Sequence, residues 1–197
     1  MITAASLTAV TTAGAVFGFA SGSSATTATP DQIKAATAVA TRQLDDLQRR
    51  NPGARRISAL SLEIAPGAVI TMAPTGAPPG CNYGDLCVYS NARQLPLPQG
   101  GWYLHFTNCG EEWNLGNLDY PEGGKWNDKI SAIYNHQTPN TTSYFYNYRG
   151  YGGIWDRVLT VYAGDYRLNL ADDGVNDIID GIHVCGSVPN PWQPNRP

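Results

Sequence analysis

The chain has 197 residues, of which 42% are hydrophobic, 10% aromatic and only 15% charged, with 21 Gly, 14 Pro and a net charge of −3. A chain of this length buries about two-thirds of its unfolded surface, so one domain with a real core and a short extra segment is expected. The mild acidity and a mean hydropathy of −0.28 exclude a membrane-embedded chain and a nucleic-acid partner, which calls for a basic surface.

Charge and aromatic content divide the chain. Up to Arg56 three acids face six bases, whereas beyond it 13 acids face 7 bases. All 5 Trp and all 11 Tyr lie after Gly80. An aromatic, acidic unit therefore follows a plain, basic region. Residues 1–28 carry no charged side chain. Their apolar run from Ala13 to Ala20, followed by small residues, reads as a signal segment for export, although no Lys or Arg precedes it. The run is too short and too interrupted by Gly, Ser and Thr to span a bilayer. The expected localisation is secreted and extracellular, with no membrane contact after leader removal.

Thr29-Pro30-Asp31-Gln32 is a helix start, with a Thr cap, Pro at the first helical position and Gln three residues after the cap. Apolar residues recur near helical period at Ile33, Ala36, Ala40, Leu44 and Leu47, until Asn51-Pro52-Gly53 stops the helix. Residues 57–64 and 68–72, joined across Pro66-Gly67, predict a short hairpin. The expected division is a leader over 1–28, a helix-plus-hairpin extension over 29–72, a Pro/Gly linker over 73–80, a β domain over 81–186 and a flexible Pro-rich tail over 187–197.

From Cys81 onward short strands alternate with Gly, Asn and Asp turns, most clearly at 86–89, 102–106, 130–134, 143–148, 158–162 and 178–184. The pattern is all-β, of Greek-key or sandwich type. An internal repeat organises it. Asn127-Asp-Lys-Ile-Ser-Ala-Ile133 and Asn176-Asp-Ile-Ile-Asp-Gly-Ile182 share one frame. Each follows a Gly-Gly with an aromatic after it, at Gly100-Gly101-Trp102-Tyr103 and Gly152-Gly153-Ile154-Trp155. The second Gly precedes the Asn by 26 residues in one copy and 23 in the other. Two copies of one four-strand unit make one pseudo-symmetric domain.

Cys81, Cys87, Cys109 and Cys185 all lie in this unit, an even number suited to two disulfides in an oxidising compartment. Three pairings are open. Cys81 and Cys87 enclose five residues and can close locally, in which case Cys109 and Cys185 tie the middle of the unit to its last strand. No C-x2-C pair and no His at zinc-ligand spacing accompanies them.

These residues resemble the βγ-crystallin Greek-key family. Its first signature is an aromatic, four residues, an aromatic, one residue and Gly, matched by Tyr146-Asn-Tyr-Arg-Gly-Tyr151-Gly-Gly153. In the first copy Tyr89 is present, but Gln94 replaces the second aromatic. The second signature is a calcium loop: Asn127-Asp128-Lys129-Ile130-Ser131 matches it until Ala132, and Asn176-Asp177-Ile178-Ile179 matches until Asp180 and Gly181. The resemblance implies a βγ-crystallin-like double Greek-key sandwich, preceded here by an N-terminal helix and short hairpin. It also implies Asn127, Asp128, Ser131, Asn176, Asp177 and Asp180 as ligands for Ca2+, which wants several oxygen donors. The alternative is that each Asn-Asp only makes the turn into a strand, since both residues accept left-handed geometry. No organic cofactor is implied.

More narrowly, Cys-x5-Cys-Val-Tyr, Trp-Asn-Asp-Lys-x-Ser, Asn-Asp-Ile and a closing Val-Cys are similar to the secreted actinobacterial proteins of peptidase inhibitor family I36, over roughly residues 30–186. Founding members of that family inhibit metallopeptidases through a loop held by a second short disulfide. This chain has no second Cys-x4-Cys loop, so no inhibitory bond carries over. Asn82, Tyr83, Gly84, Asp85 and Leu86, inside the Cys81 to Cys87 span, are the candidate protease-binding loop.

No H-E-x-x-H, G-x-S-x-G, P-loop or dinucleotide fingerprint occurs, so an enzyme is not expected. Glu111 and Glu112 point to opposite faces of an extended segment and cannot flank one bond. Three classes remain. One is an inhibitor blocking an extracellular protease with a rigid disulfide-held loop. Another is a calcium-binding structural or antimicrobial module. The third is a monomeric adaptor that binds a secreted protein or glycan through Tyr144, Tyr146 and Tyr148, which share one face of an alternating strand. They form a platform if that face is outward; the alternative is that this face is the core and Phe145 points to a second layer.

Overall fold

The computed structural model describes residues 29–73, 80–91, 101–150 and 153–186. The expected leader and tail, most of the linker, Gln94, Gly100, Tyr151 and Gly152 lie outside the described residues.

Helix α1 (Pro30–Arg50) begins as its cap residues predict. The Thr29 hydroxyl accepts the Gln32 N–H at 3.3 Å while the Gln32 carboxamide oxygen accepts the Thr29 N–H at 2.8 Å. At the other end the Asn51 N–H returns to the Leu47 and Gln48 carbonyls. Of the apolar stripe, Ala40, Leu44 and Leu47 are fully buried, whereas Ile33 and Ala36 stay half-buried. The buried half joins the same core as Leu62, Trp102 and Trp126. The Asn51 side chain crosses to the Asp119 carboxylate at 2.9 Å.

Among the described residues eleven strands follow: β1 (Arg55–Ser58), β2 (Ser61–Ala65), β3 (Ala68–Ala73), β4 (Leu86–Tyr89), β5 (Gly101–Phe106), β6 (Glu112–Asn114), β7 (Ala132–Asn135), β8 (Thr142–Tyr148), β9 (Trp155–Tyr162), β10 (Tyr166–Arg167) and β11 (Gly181–His183). The sequence predicts one strand over 57–64. A turn at Ala59-Leu60 splits it into β1 and β2. The β2–β3 hairpin turns at Gly67, where φ is +83° and an added Cβ would sit 2.3 Å from the Asn108 amide. Only glycine fits there. β3 then pairs with β5 from Ala68↔Phe106 to Ala73↔Gly101, so the extension becomes part of the sheet.

Among the described residues all strand pairing is antiparallel. One sheet runs β1-β2-β3-β5-β4-β7-β10 and the other β6-β11-β8-β9. The two repeat copies are β4–β7 and β8–β11. In each, the first, second and fourth strands stay together and the third crosses to the other sheet. Thus β6 lies on β11, and β10 lies on β7. This is a double Greek-key sandwich of βγ-crystallin type. Val88, Leu104, Ile133, Phe145 and Ile182, all at most 1% exposed, fill the space between the sheets. Disulfides join Cys81 to Cys87 and Cys109 to Cys185. No helix among the described residues is long and apolar enough to cross a membrane.

Because Leu44 is fully buried where α1 meets the sandwich, Leu44→Ala should cost about 3 kcal/mol, read as a lower midpoint in urea unfolding. A loss below about 0.5 kcal/mol would place the helix outside the cooperative core.

Candidate functional site

The two Asn-Asp corners meet. Both aspartates take left-handed backbone, with φ of 57° at Asp128 and 53° at Asp177, a conformation that Asp tolerates better than most residues. The Asp128 N–H donates to the Ile179 carbonyl at 3.1 Å, and the Asp177 N–H to the Ile130 carbonyl at 3.2 Å. Two further pairs repeat this relation. Ser131 N–H binds the Tyr89 carbonyl and Asp180 N–H the Tyr146 carbonyl, each at 2.8 Å. Leu170 N–H binds the Ser131 carbonyl at 2.9 Å, and Leu115 N–H the Asp180 carbonyl at 2.8 Å. The six bonds obey an approximate twofold, with Ile130 and Ile179 fully buried beneath them. The turn-making role of Asn-Asp is therefore present in both copies.

The oxygen donors differ between corners. In one, the Ser131 hydroxyl lies 3.2 Å from Asp177 Oδ1 and 3.3 Å from the Ser90 carbonyl, with Asn176 bonded to Asp177 at 2.6 Å. In the other, Asp180 stands where Ser131 stands in its copy and accepts the Tyr148 N–H at 2.8 Å. Burial, then the neighbouring Asp128 charge, pushes the Asp180 carboxyl up, against bonds from Tyr148 and Asn127. All six candidate ligands thus fall into two groups, one hydroxyl-carboxylate and one paired-carboxylate. Like charges sharing a corner are relieved by a proton or a cation. Among the described residues no three His, Cys, Asp or Glu side chains converge, so carbonyls and the Ser131 hydroxyl would have to complete a cation's shell.

The Cys81–Cys87 loop is a rigid knob. Tyr83 is 66% exposed and Asn82 is exposed, but Asp85 and Leu86 are buried. Of the five candidate contact residues, only Asn82, Tyr83 and Gly84 reach solvent. Three backbone bonds hold the turn: Gly84 N–H to the His136 carbonyl at 2.8 Å, His136 N–H to the Asp85 carbonyl at 3.0 Å, and Asp85 N–H to the Asn82 carbonyl at 3.1 Å. Two histidines brace it from below. His105 Nδ1 meets Asp85 Oδ2 at 3.0 Å, and His136 Nδ1 donates to the Cys81 carbonyl at 2.9 Å. The Tyr83 ring stands edge-on to His136 with centroids 5.6 Å apart.

Tyr144, Tyr146 and Tyr148 share a face as alternation predicts, and Phe145 points into the core. The expected three-ring platform is nevertheless corrected. Tyr144 is 5% and Tyr146 3% exposed, and they pack with Trp155 while the Arg157 guanidinium lies 5.4 Å over the Tyr144 ring. Cross-strand neighbours on β9 cover two of the three rings, leaving only Tyr148 open. Sequence reading missed a different aromatic row, on the outer face of the larger sheet. There His136 stacks on Tyr134 at 4.7 Å and Tyr134 on Tyr166 at 3.5 Å. Tyr134 and Tyr166 belong to different copies, so only the strand exchange brings them together.

No protein-family model matches the chain, and no curated protein matches it. Among solved structures it is similar to a chain from work on the evolution of the eye-lens βγ-crystallin domain fold, with a TM-score of 0.37 and 15% identity over 63% of this chain and 99% of that one. It is also similar to spherulin 3A from Physarum polycephalum, with a TM-score of 0.34 and 17% identity over 61% of this chain and 98% of that one. What identifies the arrangement in this chain is the exchange of β6 and β10 between its copies.

Asp180→Asn keeps an acceptor for the Tyr148 N–H and removes the charge. With its folded pKa raised, the native state holds the extra proton, so the wild type loses stability as pH rises through that window. In chelator at pH 7, Asp180→Asn should match or exceed the wild-type Tm, and any advantage should fade below about pH 4. A variant less stable at pH 7, by an amount independent of pH, would contradict the raised carboxyl.

Proposed function

We propose that the chain is a secreted, monomeric, non-catalytic binding module of the peptidase-inhibitor kind, with the Cys81–Cys87 loop as its contact. The observation that carries this reading is the exposed Tyr83 ring on a loop fixed by a disulfide, three backbone hydrogen bonds and two histidines. A loop already fixed in shape loses little freedom on binding. A rigid tyrosine is a residue type that anchors interfaces. The Gly84 N–H is committed to His136, so the loop offers a ring for an apolar pocket rather than an extended, substrate-like strand. The two disulfides fit an oxidising, extracellular compartment, and the similarity to family I36 supplies the target class.

Purified protein should inhibit at least one enzyme of a thermolysin-like, subtilisin-like and chymotrypsin-like panel. Tyr83→Ala should weaken that inhibition about 30-fold, or about 2 kcal/mol, with Tm unchanged because the ring is mostly in solvent. Absence of inhibition by the wild type at micromolar concentration across the panel would discard the reading.

A second reading rests on the convergent corners. Asp177, Ser131 and the Ser90 carbonyl in one, and Asn127, Asp128 and Asp180 in the other, would hold Ca2+, whose charge would offset the facing carboxylates. A ligand bound only by the native state raises Tm. Excess calcium should therefore raise Tm above its value in chelator, and Asp128→Asn, which keeps the left-handed turn, should shrink that rise. Superimposable melting curves would remove this reading.

A further inference from the structure

Tyr134 on β7 and Tyr166 on β10 are directly opposed in the antiparallel register. Their rings stack at 3.5 Å between centroids with 11° between planes. Tyr166 is 48% exposed and Tyr134 is half-buried, so a dissolved oxidant reaches the pair. β10 has two residues and is the strand that the second copy lends to the first. The stacked rings are thus a side-chain contact across an exchange held by a very short ladder.

We propose that Tyr134 and Tyr166 form a dityrosine cross-linking site, closed by a haem peroxidase with hydrogen peroxide as oxidant. Each phenol loses one hydrogen atom to give a ring radical. The radicals join through a carbon–carbon bond between positions ortho to the oxygens. Each ring then regains aromaticity as its ortho hydrogen moves, as a proton, to its oxygen. The protein loses two hydrogen atoms, and one hydrogen peroxide is reduced to two waters. Stacking holds the reacting carbons near the separation at which intramolecular reactions gain most from proximity. Among the described residues another close tyrosine pair, Tyr89 and Tyr103, has centroids 5.6 Å apart and is only 7% and 6% exposed, so it stays unreacted. Tyr83 and Tyr162, 66% and 60% exposed, have no stacked tyrosine among the described residues and would link only between molecules. The product is a covalent tie between the copies, which the Cys109–Cys185 bond also joins.

The full chain, at low concentration, is treated with peroxidase and hydrogen peroxide, and the monomer is isolated and mapped by tandem mass spectrometry. The expected result is a monomer lighter by two hydrogen atoms, with dityrosine fluorescence and one cross-linked peptide pair spanning 134 and 166. Tyr166→Phe and Tyr134→Phe should each abolish that product while Tyr162→Phe leaves it, with Tm confirming that each variant is folded. A monomer of unchanged mass, a cross-link mapped to other tyrosines, or cross-linking only between molecules would overturn the proposal.

Discussion

Neither sheet is complete within its own repeat copy, and this mutual loan of strands is the constraint on which the remaining architecture rests. β6 is the edge that the first copy gives to β11, and β10 the edge that the second gives to β7. Strands of three and two residues could not hold themselves in place. They are held by the loops beside them, where Leu115 and Leu170 donate to the Asp180 and Ser131 carbonyls and the two Asn-Asp corners exchange their N–H bonds. Burying backbone groups without partners is costly. Each corner therefore depends on the other being present, and the duplicated sequence folds as one unit.

The Cys81–Cys87 loop inherits its rigidity from that interlock. Asn135 receives the Gly164 N–H on its carbonyl at 2.7 Å and donates its own N–H to the Asp165 carbonyl at 3.1 Å, so the turn before β10 fixes the chain where β7 ends. The next residue, His136, is the one that clasps Gly84, Asp85 and Cys81. The small Cys81–Cys87 ring alone would still pivot on β4. Its second support comes from the exchanged strand, through one residue. The N-terminal extension works on the other edge of the same sheet. β3 occupies the edge of β5 over six residue pairs, sheltering a strand edge that would otherwise invite pairing with another chain. Through Leu44 and Leu47, α1 covers apolar surface that β2 and β3 leave open.

Much of this was legible in the sequence, and the reasons are specific. The capping box at Thr29 and Gln32 acts within one turn, so its residues suffice to predict it. β4 and β8 were found almost to the residue, because alternation and β-branched or aromatic content are local signals. The repeat frame around Asn127 and Asn176 located the paired corners, because the backbone there needs residues that accept positive φ. β6 and β10 were missed. Two or three residues give no period, and their pairing is with strands far away in the chain. For the same reason the outer aromatic row went unseen, since Tyr134 and Tyr166 are 32 positions apart. What covers Tyr144 and Tyr146 was also hidden, because Trp155 and Arg157 reach them only through the β8–β9 register. Binary pattern shows which residues share a face but not what lies over that face.

Amide hydrogen exchange measured residue by residue tests the interlock most directly. The N–H groups of Leu115, Asp128, Ser131, Leu170, Asp177 and Asp180 should exchange together, slowly, at a rate set by unfolding of the whole domain. If those of one copy exchanged far faster than those of the other, each copy would open by itself, and the account of two mutually completed sheets would be wrong.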